Sequence, residues 1–275
     1  MLTNLIYYLY NIKTDYIRKN KDSYIFIYKD IFYIFKPTTL NEEYIFYITK
    51  YFVYNDFFHI LIKNKNNKYI SKYENKDYVL MKVRLKSNRL LTVNDIIDNN
   101  FVISINNINW VDLWKRKIDQ VEMYLYNNEI SIYNLTIINY YLELGECAIN
   151  YYINNVKNDF FPITFCHKRI NKDFDLYDYF SITDIVFDHQ VRDIAEYIKC
   201  DIYNDKEIVL DKYKSLINYK DKELLVSRLL FPCYFFDIID DFIINNRDFN
   251  EFSSFFTNME VYETNLLKIV NYITK

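Results

Sequence analysis

One glycine in 275 residues, Gly145, excludes more function classes than any single motif supports. Walker loops, dinucleotide fingerprints and glycine-rich loops folded over a triphosphate all need backbone N–H groups to approach phosphate with no Cβ in the way. None of these can be built here, so any nucleotide would have to be held by something other than a glycine cradle. Cysteine is also sparse: Cys147, Cys166, Cys200 and Cys233 form no Cys-x-x-Cys pair, which argues against a zinc ribbon or redox motif and fits a reducing cytosol. An excess of one charge is missing as well. The chain has 34 basic and 37 acidic residues, net −3, and exerts no global attraction on nucleic acid or anionic lipid. No apolar run reaches the roughly 18–20 residues of a membrane span, since the stretch from Phe231 to Ile244 is broken by Asp237, Asp240 and Asp241. Met1-Leu2-Thr3-Asn4-Leu5-Ile6 carries no basic leader before its apolar residues, so no secretory signal is expected.

What the chain does contain is apolar and aromatic. With 51% hydrophobic residues, 30 Tyr and 22 Phe, it has the composition of a folded protein with a substantial core. The excess of Asn, Ile, Lys, Tyr and Phe fits an AT-rich genome and says little about function.

Two regimes of periodicity follow one another. Helical spacing over Leu2–Ile17 gives way to two β-rich runs, Tyr24–Tyr28 and Ile31–Phe35, with Lys29-Asp30 as the turn of a hairpin. Pro37 ends the second strand. Asn41 or Thr39 can cap a helix that Glu42 and Glu43 favour at its positive end and that runs to about Phe52. Further strands are expected at Phe58–Ile62, Lys68–Ser71 and Tyr78–Val83, with the Lys/Asn run 63–68 as a solvated hairpin turn. From residue 109 the period becomes helical: Trp110, Leu113, Trp114, Ile118, Val121 and Leu125 recur at steps of three and four. Helices are expected over Leu135–Ile153, where Gly145 and Ala148 permit close packing, and over Asp193–Cys200, Lys206–Ile217, Lys222–Leu230, Tyr234–Ile244 and Val261–Ile273. The fold class is α+β with two lobes: a small β-rich lobe over 1–88 and a mainly helical lobe over 89–275, the boundary falling near Lys86 to Leu91.

The chemistry-bearing residues concentrate between Cys166 and Ile198. Cys166-His167-Lys168-Arg169 follows an apolar strand, and Asp188-His189-Gln190-Val191-Arg192-Asp193 opens a helix. That order is the layout of a kinase-type catalytic loop in which the proton-accepting aspartate is replaced by Arg169. A phosphotransferase needs a carboxylate there to orient or deprotonate the attacking hydroxyl, and further ligands for magnesium. His167 reads as a structural histidine, and Arg169 as a guanidinium paired with Asp188 or Asp193. Asp188, His189, Arg192 and Asp193 read as a clasp around the loop. Lys36, ending a strand before the first internal helix, is a candidate nucleotide contact, with Glu42 or Glu43 as its ion-pair partner; the bland alternative is a surface pair of little weight. Asp178 and Asp184 are the candidate magnesium carboxylates, in neither an Asp-Phe-Gly nor an Asp-x-Asp setting. No His-Glu-x-x-His or Gly-x-Ser-x-Gly pattern supports a histidine–metal site or a serine hydrolase.

Several segments together resemble the YutH-type spore-coat-associated proteins, relatives of the CotS-type coat proteins and more distantly of aminoglycoside and choline phosphotransferases. They are Trp110–Gln120, Leu144-Gly145-Glu146-Cys147-Ala148-Ile149-Asn150, Cys166–Arg169, Asp188–Ile198, Ser227–Pro232 and Tyr262-Glu263. Each is short; their order and spacing cover most of the chain from Trp110. The resemblance implies a two-lobed protein-kinase-like fold and a role around the bacterial endospore coat. Active members of the wider superfamily have His-x-Asp followed by an Asn, whereas here Arg169 stands at the Asp position and Phe174 at the Asn position. The expectation is a pseudokinase-like protein acting on other coat or morphogenetic proteins, in the mother-cell cytoplasm and then the spore coat, without nucleic acid or membrane partners. The alternative is an ATP- and magnesium-dependent phosphotransferase using Asp178 or Asp184 with Lys36 on ATP.

Overall fold

A computed structural model describes residues 2–52, 58–84, 87, 89–99, 101–107, 109–158, 160–183, 185–204 and 207–275. Contacts group them into two compact units, Met1–Leu91 with Asp173–Val186, and Thr92–Lys172 with Phe187–Lys275. The sequence places a single boundary near 88–89; the chain instead returns to the first unit for 173–186.

The first unit is built on an antiparallel sheet of six strands: β1 (Arg18–Asn20), β2 (Ser23–Tyr28), β3 (Ile31–Pro37), β4 (Ile60–Ile62), β5 (Ile70–Tyr73) and β6 (Lys76–Lys82). The order is β1-β2-β3-β6-β4, with β5 also on β6. The β2–β3 hairpin turns on Lys29-Asp30, both at positive φ (50° and 59°), the conformation that matches strand twist and that a glycine-poor chain must assign to other residues. Alternation along β3 sends Tyr33 and Phe35 into a cluster with Ile6, Ile12, Phe26, Tyr78 and Leu80, and puts Ile34 and Lys36 on the other face. Helix α1 (Leu2–Tyr10) stops well short of Ile17, and the chain enters β1 instead. Helix α2 (Glu42–Phe52) is capped by Asn41, whose Oδ1 accepts from Tyr44 N–H at 2.7 Å.

Run 63–68 is not a hairpin turn: β4 and β5 each pair with β6, not with each other. Asn64 is buried there, donating to Ile70 O and Ser71 Oγ and accepting from the N–H groups of Asn66 and Lys68. A short amide that can satisfy its own neighbours organises the loop, where composition alone reads solvated linker.

The second unit is mainly helical: α3 (Val93–Ile97), α4 (Trp110–Asn127), α5 (Ile132–Asn155), α7 (Val191–Asn204), α8 (Lys222–Leu230), α9 (Cys233–Ile244) and α10 (Met259–Ile273). The short α6 (Leu176–Tyr179) belongs to the first unit. Strand β7 (Ser104–Asn107) pairs antiparallel with β8 (Phe160–His167). The helix expected over Lys206–Ile217 is a 3-10 segment, Leu210–Leu216, and Lys206 lies outside the described residues.

In α4 the buried positions are Trp110, Trp114, Ile118 and Val121, a stripe of steps four, four and three, whereas Leu113 faces out. Trp114 stacks on Phe231 with ring centroids 4.5 Å apart, and Phe231 stacks on Phe236 at 4.8 Å. Gly145 is where α5 meets α4 and α9: a Cβ there would sit 3.2 Å from Ile118 Cδ1 and 3.6 Å from Phe236. The chain's only glycine thus marks close helix packing, with no positive φ involved.

Candidate functional site

In the second unit, β8 delivers His167 and α7 meets it. Asp193, in the first turn of α7 and buried, takes both of the loop's donors: His167 N–H binds its Oδ1 at 2.7 Å and His167 Nδ1 its Oδ2 at 2.8 Å. Asp188 is held by Trp110 Nε1 (3.1 and 3.2 Å), by Arg192 Nη1 (3.1 Å) and by the N–H of His189 (2.8 Å). Arg192 also donates through Nε to His167 O at 3.0 Å, closing the clasp. His189 Nδ1 accepts from Val191 N–H at 3.1 Å, which assigns the neutral ring's proton to Nε2, 3.4 Å from Asp221 Oδ2. The buried thiol of Cys166 donates to His189 O at 3.2 Å; burial, then Asp193 and Asp188, push its pKa well up. It is a packing residue and no nucleophile.

Arg169 does not pair with Asp188 or Asp193, whose oxygens are already engaged. Its Nε and Nη2 bind Asp237 of α9, the former at 2.8 Å, and its Nη1 lies 3.3 Å from Glu196 Oε2 on α7. Glu196 is fully buried, and on its other side Arg228 of α8 brings Nη2 to 3.8 Å while its guanidinium lies 4.9 Å over the Trp110 ring. Burial works against the charge of Arg169, yet Glu196 and Asp237 outweigh it and raise the pKa. Next to them Lys199 is buried, donating to Phe231 O at 2.6 Å and to Cys233 Sγ at 3.3 Å, and burial lowers its pKa. Every carboxylate of this cluster has a cation or an N–H against it. Glu196 is compensated by charge alone, since neither of its oxygens has a hydrogen-bond partner among the described residues.

In the first unit Lys36, buried at the end of β3, lies 3.4 Å from Asp178 Oδ1. Glu43 is exposed, and the two oxygens of Glu42 accept from Tyr69 and Ile70 N–H at 2.6 and 2.9 Å. Lys21 closes on Asp178 Oδ2 at 2.6 Å and also donates to Asp173 O. Asp184 lies outside the described residues. A carboxylate already neutralised by two ammonium groups is a poor ligand for magnesium, which needs uncompensated oxygens. Among the described residues no group of three His, Cys, Asp or Glu side chains is placed to hold a metal.

Close by in that unit, His59 Nε2 meets Tyr177 O at 3.1 Å, and burial pushes the imidazole pKa down to about 4, with the Tyr177 bond opposing. The native state therefore refuses a proton that the unfolded chain accepts at its ordinary value near 6.5. Stability is full above that value and falls between roughly pH 6.5 and 4, by up to roughly 3 kcal/mol. Urea unfolding across that window should show the loss, and His59→Gln should remove it; an unchanged slope in the variant contradicts the assignment.

His167, Asp188, Arg192 and Asp193 are brought together around one loop, and Lys36 and Asp178 around another. Glu196 and Lys199 were detectable in principle, because with Asp193 they repeat at steps of three along one face of α7. Asp237, Arg228, Lys21 and His59 come from distant segments and leave no local signal.

Solved structures similar to this chain include an aminoglycoside phosphotransferase from Alicyclobacillus acidocaldarius (TM-score 0.62, 8% identity, 98% of this chain and 95% of that one). Another is an AMP-bound spectinomycin phosphotransferase (TM-score 0.52, 12% identity, 100% of this chain and 98% of that one). At such identities the likeness is one of fold, and the chain has the protein-kinase-like fold of aminoglycoside phosphotransferases. The model of the family described as "Spore coat putative kinase YutH" matches residues 3–269, and the chain belongs to that family. A curated relative, the endospore coat-associated protein YutH of Bacillus subtilis, is 28% identical over 163 residues. That match spans about half of each protein, 50% of this chain and 47% of the relative. No helix among the described residues is long and apolar enough to cross a membrane.

Proposed function

We propose that this chain is a catalytically inactive kinase-like protein that serves spore-coat assembly by binding other coat or morphogenetic proteins, first in the mother-cell cytoplasm and then in the coat. The observation that carries the reading is Arg169. By the His-x-Arg motif it stands where a working transferase of the wider superfamily has its proton acceptor, and its guanidinium is paired with Glu196 and Asp237. Family membership supports the coat role. The kinase-like framework then contributes a rigid surface, with its former catalytic loop stapled to α7 and α9.

A second reading, an ATP-dependent phosphotransferase, draws on one observation: a buried strand lysine, Lys36, paired with a carboxylate, as phosphotransferases pair theirs. The second ammonium of Lys21 on the same carboxylate weighs against it.

In a sporulating host that depends on this protein, Lys36→Ala should leave coat assembly and spore resistance within about twofold of the unmodified chain, because no ATP contact is being removed. Electron microscopy of the coat and resistance counts read the outcome. Loss of coat assembly by a Lys36→Ala protein that still folds would favour the phosphotransferase.

A further inference from the structure

The second unit's small sheet has an open edge. Strand β7 is hydrogen-bonded to β8 on one side, and among the described residues no strand lies on its other side. All four of its side chains are exposed. Proteins usually blunt such an edge with charge, proline or a bulge. Strand β1, at the edge of the other sheet, follows that practice with Arg18 and Lys19. Strand β7 reads Ser104-Ile105-Asn106-Asn107, with no charge and no proline.

One face next to that edge is apolar. The register sets Ile105 beside Pro162 and Asn107 beside Phe160, so Ile105, Pro162 and Phe160 share a face. Ile105 is 72% exposed and Phe160 66%. Phe101, at the base of the segment, stacks on Phe165 at 5.4 Å and anchors it to β8.

We propose that a second copy of this chain docks here, the two β7 strands pairing antiparallel about a two-fold axis. In a continuing sheet, paired residues must face the same way, so the axis has to pass through one residue and its own counterpart. Centring on Ile105 sets it against the Ile105 of the second copy and Ser104 against Asn106. The apolar strip then runs unbroken across both chains, Phe160, Pro162 and Ile105 from each. Centring on Asn106 would set Ile105 against Asn107 and break the strip. The occupant is a second copy on grounds of charge and register: an uncharged strand meets itself without like-charge repulsion, which Arg18 and Lys19 would cause along β1.

Two four-residue strands and one strip fall below the roughly 1,200 Å² of a standard stable interface. The pairing is therefore a monomer–dimer equilibrium seen at high chain concentration, and coat density would favour it. It goes beyond the scaffold reading and does not depend on it: a chain that self-pairs yet transfers phosphate would keep this inference and lose that one.

Sedimentation velocity over a concentration series, with reductant because Cys147 is exposed, should show reversible dimerisation. Ile105→Lys puts two like charges across the junction and should raise the dissociation constant about tenfold or more, with an unchanged melting temperature. Arg18→Ala, on the other edge, should change nothing. Amide exchange at Ser104–Asn107 should slow as concentration rises, a readout that needs no variant. A chain that stays monomeric throughout, a dimer indifferent to Ile105→Lys or equally weakened by Arg18→Ala, or exchange at β7 independent of concentration overturns the proposal.

Discussion

Replacing Asp193 by alanine is expected to cost about 3–5 kcal/mol of stability, the range for removing one partner of a buried, hydrogen-bonded polar pair. Both carboxylate oxygens are in use, one on the His167 backbone N–H and one on the imidazole Nδ1, and both residues are almost wholly buried. Alanine removes the Asp193 acceptor from a backbone donor and a ring nitrogen, both almost wholly buried, and each such loss costs about 1–3 kcal/mol. Asp193→Asn keeps one acceptor and should fall between wild type and alanine. Urea unfolding followed by circular dichroism decides the matter. A loss below about 1 kcal/mol for the alanine variant would mean that the loop is held by something else.

Glu196→Ala should be comparably severe, about 3–5 kcal/mol, for a different reason. Its carboxylate is the shared counter-charge of Arg169 and Arg228, with no hydrogen bond to either, so its contribution is electrostatic and its removal strands cationic groups. Arg169 can turn toward water, being partly exposed, and still has Asp237; Arg228 is buried against Trp110 and Trp114 and has no such escape. The cost should therefore fall mainly on Arg228. Removing both members of the buried pair, Glu196→Leu with Arg228→Met, should recover most of the loss, since an apolar pair of similar volume avoids desolvating two charges. A double variant as unstable as the sum of the two single changes would contradict this division.

These sites also show what a sequence can and cannot reveal. The β2–β3 hairpin, the α4 stripe and the Cys166–Asp193 cluster were legible because each is local: a two-residue turn between β-rich runs, a three-four step, a dense patch of functional side chains. The same locality misled at residues 63–68, where Asn and Lys look solvated but Asn64 folds the loop onto its own amide. It misled over Leu2–Ile17, where apolar spacing continues although the helix ends at Tyr10. The sequence points Arg169 to the carboxylates of the second motif, Asp188 and Asp193. Those were already taken by Trp110, Arg192 and His167, and the true partners arrive from α7 and α9. Lys36 likewise reaches Asp178, 142 residues away, while Glu42 turns to the N–H groups of Tyr69 and Ile70. Pairing that depends on which groups are already satisfied is a property of the folded packing, and no spacing rule records it.

The most direct test of an inert catalytic loop is phosphoryl transfer itself. Purified protein given γ-labelled ATP and magnesium, with aminoglycoside, choline and protein acceptors offered in turn, should yield no labelled product above the rate without enzyme. An ATP-dependent product that disappears in Asp178→Asn or Lys36→Ala would show that the chain transfers phosphate after all.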